Sequence, residues 1–184
     1  MYTATDGKYT INISYDEFAD SPREAYENLG TMVCWHRRYN LGDEQPKLEP
    51  HEFYREILRK GDVFLPLYLL DHSGLTMSTS DFGDPWDSGQ VGWIYITAEK
   101  ARKEFNWKRL TKSRRDALKK WLKAEVEVYD EYLRGEVYFA EILEDGETID
   151  SCGGFYGDDG ISAALEGLPS DAHIERYMLE WRDD

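Results

Sequence analysis

The chain has 184 residues, 41% hydrophobic and 14% aromatic, enough for the core of one compact domain and against a disordered chain. Lys and Arg number 22 against 37 Asp and Glu, a formal net charge of -15. The longest apolar run, Val63 to Leu70, is broken by Pro66, and the two cysteines, Cys34 and Cys152, form no metal-ligand spacing, which excludes membrane-spanning, zinc-finger, disulfide-scaffold and fibrous classes.

Met1 to Asp6 has no basic start and no apolar stretch, so no secretory signal is expected, and free cysteines fit a reducing, cytoplasmic setting. Tyr9, Ile11, Ile13 and Tyr15 alternate with polar residues, the pattern of a half-buried strand. Ser21-Pro22-Arg23-Glu24 reads as a helix start, with Ser21 as cap, and Asn28-Leu29-Gly30 ends that helix early. Thr31 to Trp35 is a strand that enters a loop over His36 to Glu49. Pro50 opens a second helix with Phe53, Tyr54, Ile57 and Leu58 on one face. Val63 to Leu70, apolar on both faces, is a central strand, although Pro66 cannot donate to a ladder. Asp71 to Gln90 is a long stretch rich in Asp, Ser and Gly that joins this strand to another over Val91 to Thr97.

Thr97 caps a helix through Lys100 to Glu104, and Thr111 or Ser113 caps a longer one that stops at Gly135. The long helix buries Leu118, Trp121, Leu122, Glu125, Tyr129, Tyr132 and Leu133. Val137 to Leu143 and Glu147 to Cys152 form a hairpin about Asp145-Gly146, broken by Gly153-Gly154. A short helix over Ile161 to Leu165 follows, and Ile174, Tyr177, Met178 and Trp181 share a helical face or form a terminal strand. The expected fold is α+β, one domain over 1–184 with a mixed or antiparallel sheet. The basic helical segment 98–134 is inserted between the sheet-forming parts.

Charge is unevenly distributed along the chain. Residues 1–99 hold 8 basic and 17 acidic side chains, 100–123 hold 11 and 2, and 124–184 hold 3 and 18. Such a chain repels nucleic-acid phosphates unless the basic block is presented alone, and it attracts cationic surfaces. The basic block, with Trp107 and Trp121, resembles a nucleic-acid stripe in composition, but the helical spacing puts Trp121 in the core.

Five places carry residue types suited to chemistry. Asp71-His72-Ser73-Gly74 offers His72 as a general base, or a turn held by Asp71 and Ser73. Asp81, Asp84 and Asp87 put three carboxylates within seven positions, short of a metal's ligand set; the twelfth position from Asp81 is Gly92, so no EF-hand loop is present. Trp86 is expected to pin this loop. His36-Arg37-Arg38 can clamp a phosphate or pair with neighbouring carboxylates. Glu125 on an apolar helix face needs a hydrogen-bonding partner. The fifth place is the basic block. No phosphate loop, dinucleotide fingerprint or nucleophile elbow is present, and no cofactor or metal is expected.

Four segments resemble blocks of an uncharacterised family of small acidic proteins from phages and mobile elements. They are Leu29 to Asp43, Leu70-Asp71-His72-Ser73-Gly74, Trp86 to Gly92, and Gly135-Glu136-Val137-Tyr138. The resemblance implies a role in the host-cell cytoplasm against a bacterial defence system, and carries no assigned activity.

Two functional readings follow. In the first, the chain is a non-enzymatic inhibitor that presents Glu127, Asp130, Glu131, Glu141, Glu144, Asp145, Glu147 and Asp150 as phosphate mimics. Its partner is a basic protein surface of a nuclease or defence complex, with no direct nucleic acid and no membrane. In the alternative, the chain is a small-molecule or nucleotide-binding protein or enzyme. Its polar site lies around the 71–90 loop, built from His36, Arg37, Arg38, Asp71, His72, Asp87 and Gln90.

Overall fold

A computed structural model describes residues 1–56 and 61–182. The fold is α+β, and the described residues form nine strands in two sheets whose ladders are all antiparallel. The chain divides into two compact units: residues 1–20 with 134–184, and residues 21–133 between them. The long basic helical segment belongs to the second.

The first unit holds β1 (Tyr2–Thr5), β2 (Tyr9–Tyr15), β7 (Val137–Glu144), β8 (Glu147–Tyr156), α5 (Gly157–Glu166) and β9 (Glu180–Trp181). Its sheet runs β8-β7-β2-β1-β9. The alternation in β2 buries Tyr9, Ile11 and Ile13, and Ile142, Ile161 and Ala164 pack with the two isoleucines as α5 closes that face. Asp145 and Gly146 both have positive φ, 51° and 87°, the mirror-image turn whose twist suits a two-residue hairpin. One expectation changes here, one alternative is settled, and one strand is added. β8 continues through Gly153-Gly154 to Tyr156, because its ladder to β7 absorbs two register shifts. The C-terminus forms a 3-10 turn (Arg176–Met178) and then the strand β9. Residues 2–5 add the strand β1, which has no alternation long enough to announce it.

The second unit contains α1 (Pro22–Ala25), β3 (Thr31–Cys34), α2 (Pro50–Glu56), β4 (Val63–Asp71), β5 (Leu75–Ser78), β6 (Ser88–Ile96), α3 (Ala98–Glu104) and α4 (Lys112–Leu133). The sheet order is β3-β6-β4-β5, so β4 is internal as expected. β5 pairs only with residues 68–71 of β4, so at Pro66 the strand has β6 on one side and an open edge on the other. The 71–90 stretch does join β4 to β6, but it contains β5. Four residues between glycine- and serine-rich turns are too few to show a period in sequence.

One face of this sheet is covered by α4, where Leu118, Leu122, Val126 and Tyr129 meet Met32, Cys34, Leu67, Ile94 and Ile96. On the other face Val33 and Phe53 pack with Trp35, Trp93 and Tyr95. Ile57 and Leu58, expected on the α2 face, lie outside the described residues, and Tyr54 is exposed. The buried stripe of α4 is offset from the expected one: Val126 is inside, whereas Trp121 is 42% exposed. Trp121 stands one residue before buried Leu122, about 100° round the helix, and so falls beside the stripe.

Candidate functional site

The eight carboxylates read as phosphate mimics fall in different units. Glu127, Asp130 and Glu131 stand on α4, and each is engaged there. Glu127 pairs with Lys123 at 2.7 Å, Asp130 accepts from Met77 N at 2.6 Å, and Glu131 also has a partner. The other five stand on the β7–β8 hairpin of the first unit. Glu144 pairs with Lys8 at 3.0 Å, and Glu141 accepts from Thr148 Oγ1 at 2.8 Å. Asp150 accepts from Ser151 N at 2.8 Å, and the side-chain carboxylates of Asp145 and Glu147 meet no partner among the described residues. β8 is an edge strand, and residues 147–153 are all exposed.

The first unit gathers nearly all of the net charge. Its 71 residues carry 18 carboxylates and 4 cations, whereas residues 21–133 carry 19 and 18. Three of those four cations are already paired within the unit: Lys8 with Glu144 and Asp171, Arg134 with Glu136, and Arg176 with Asp158. The Lys8 ammonium holds the Asp171 carboxyl below its ordinary value, with help from the Tyr9 hydroxyl. By number alone, most carboxylates of this unit have no internal counter-charge.

The polar residues of the alternative site all lie in the second unit: His36, Arg37 and Arg38 in the loop after β3, Asp71 and His72 at the end of β4, and Asp87 and Gln90 at the start of β6. Arg38 forms an ion pair with Asp71. His72 Nδ1 stands 2.7 Å from Asp87 Oδ2, and this hydrogen bond raises the imidazole pKa. Asp71 N donates to Asp87 O at 2.8 Å, which ties the two pairs together. His36 stacks on Tyr39 and accepts from Tyr39 N, and Gln90 Nε2 donates to Gly92 O at 3.3 Å. Arg37 is exposed and has no partner among the described residues.

The Asp loop is held by its own carboxylates. Asp84 Oδ1 accepts from Trp86 N and Asp87 N, both at 2.8 Å, which lowers the Asp84 pKa. Trp86 does not pin the loop; it is exposed to 90%. Among the described residues no three His, Cys, Asp or Glu gather as a metal site, and no helix is long and apolar enough to cross a membrane.

Glu125 finds its partner in Arg23, whose side chain is 2% exposed. The guanidinium donates to Glu125 Oε2 at 2.7 Å, to both oxygens of Asp43, to Asn28 Oδ1 and to Gly30 O. The far oxygen of Glu125 accepts from Leu29 N at 2.8 Å and Gly30 N at 3.1 Å. Every polar atom of the cluster is met, so it is a structural staple with no reactive group left over.

Beside this staple lies a cleft of about 400 Å³, lined by Pro22, Tyr26, Leu29, Trp121, Ala124 and Val128 among others. Sequence periodicity missed it because it placed Trp121 inside. No protein-family model matches this chain, no curated protein matches it in sequence, and no solved structure matches its fold.

Proposed function

We propose that this chain is a non-enzymatic inhibitor whose first unit occupies a cationic groove that another protein uses for nucleic-acid phosphates. The observation that supports this reading is the charge partition: 18 carboxylates against 4 cations in 71 residues, three of the cations paired internally. Asp145, Glu147 and Asp150 stand on the turn and on the edge strand β8, where residues 147–153 are exposed, and Glu141 and Glu144 are half-buried on the neighbouring strand β7. Carboxylates presented in this way accept hydrogen bonds from Lys and Arg as phosphate oxygens do. The Arg38–Asp71 and His72–Asp87 pairs, by contrast, use their polar groups on each other.

The test is binding of the chain to a panel of nucleases and nucleic-acid-binding defence complexes, with a DNA duplex as competitor. Binding should exclude the duplex and weaken by roughly ten-fold or more as salt rises from 50 to 200 mM. Asp145→Asn/Glu147→Gln/Asp150→Asn should weaken it without lowering the melting temperature. Binding that tolerates high salt, or that leaves the duplex in place, would refute the mimic.

A further inference from the structure

The basic block behaves differently in the fold from the way its sequence suggests. Of its cations, Lys123 pairs with Glu127, Lys100 donates to Asn28 O, Arg115 to Gly61 O and Arg114 to Arg109 O. Arg102, Lys103, Lys108, Arg109, Lys119 and Lys120 meet no anion among the described residues. They are exposed, on a unit whose own net charge is only -1. Within residues 100–123 only Glu104 and Asp116 are acidic, so the block keeps a local excess of cations on a near-neutral unit.

A second, independent feature accompanies these cations. Trp107, Phe105 and Trp121 form a continuous ring stack, with centroids 4.6 and 4.8 Å apart and both interplanar angles 25°. Arg114 lies 4.7 Å over Trp107 and closes that end. At the other end Trp121 is 42% exposed and walls the 400 Å³ cleft, which also holds the exposed ring of Tyr26. Each of the six cations is within three residues of a ring in the stack.

Cations that follow a backbone, together with an aromatic face on which a base can stack, are the two parts of a single-strand site. We propose that the α3–α4 face of this unit binds single-stranded nucleic acid, with a base against the exposed part of Trp121 and phosphates on the exposed Lys and Arg of α3, α4 and the turn between them. Duplex bases are already stacked on one another and do not offer a free face to Trp121. This departs from the expectation of no direct nucleic-acid contact. It is independent of the carboxylate surface, whose residues belong to the other unit.

The experiment is fluorescence anisotropy of a labelled oligothymidine of about 12 nucleotides, within the range of known single-strand sites, with the full chain at 50 mM salt. Micromolar binding with quenched tryptophan emission is expected. With about five phosphates engaged, affinity should fall roughly 100-fold on going to 200 mM. Trp121→Ala should weaken binding about ten-fold. Because that variant also removes a stacking ring, Lys108→Glu/Arg109→Glu, on an exposed turn, is the second test; it should abolish binding with the melting temperature unchanged.

Failure of the oligothymidine to bind at 50 mM, equal affinity for a duplex or for heparin, or binding that survives Lys108→Glu/Arg109→Glu would each overturn the proposal. Salt-sensitive self-association that the oligothymidine cannot reverse would assign the face to a second copy and overturn it too. The hairpin variant Asp145→Asn/Glu147→Gln/Asp150→Asn should bind the oligothymidine undiminished, which keeps this result separate from the inhibitor test.

Discussion

Cys34 and Cys152 have the same side chain and opposite fates. Cys34 is buried on β3, and burial pushes its thiol up to about 12, whereas Cys152 is exposed on β8. A thiol reagent should label one cysteine in the native protein and the second only in denaturant. Two fast-reacting thiols would show that β3 is open to solvent. His72 gives a pH signature. Its hydrogen bond to Asp87 raises its pKa above 6.5, so the contribution of this pair to stability is complete below about 6.5 and is lost as pH rises through the raised value. An NMR titration of the His72 ring should place its midpoint above 6.5, and Asp87→Asn should move it back down; an unshifted midpoint would remove the pair. The sequence shows that Glu125 needs a partner, because a carboxylate on an apolar helix face cannot stay bare. It does not show that the partner is Arg23, which stands 102 positions away.

That Arg23 cluster joins α1, β3, the following loop and α4, so its loss should be felt by the whole second unit. Arg23→Ala leaves Asp43 and Glu125 partly buried without their cation. It should cost about 3–5 kcal/mol, read from the urea midpoint. A loss under ~1 kcal/mol would mean that water replaces the guanidinium. The β3–β6 contact has a similar weak point. A side-chain carbon on Gly92 would lie 1.9 Å from Val33 O, backbone that cannot swing aside. Gly92→Ala should therefore lower the melting temperature sharply while Gly89→Ala, in open space on the same strand, should not. Elements with strong local signals are legible from sequence: β2 by alternation, α3 and α4 by the Thr97 and Thr111 caps, and the β7–β8 turn by Asp145-Gly146. β1 and β5 are not, since four residues carry too little pattern and each is held by the ladder to its neighbour.

Across the molecule, charge is sorted between the two units: one is strongly anionic, the other near neutral with a cationic face. Self-repulsion within the anionic unit should be relieved by screening. Thermal melts should therefore shift upward as sodium chloride is raised from about 10 to about 150 mM, where the Debye length falls from roughly 30 to 8 Å. A downward shift would show that the Lys8, Arg134 and Arg176 pairs outweigh the repulsion. The sequence by itself determined the α+β class, the placement of the long elements and the excess of carboxylates after residue 123, because periodicity, caps, turn residues and charge are local properties of the chain. Only the tertiary structure decided that residues 1–20 join 134–184 in one sheet, that Arg23 neutralises Glu125, and that Trp121 faces solvent beside unpaired cations. Those outcomes depend on which distant strands share a ladder and which side of a helix is covered, and no run of neighbouring residues carries that information.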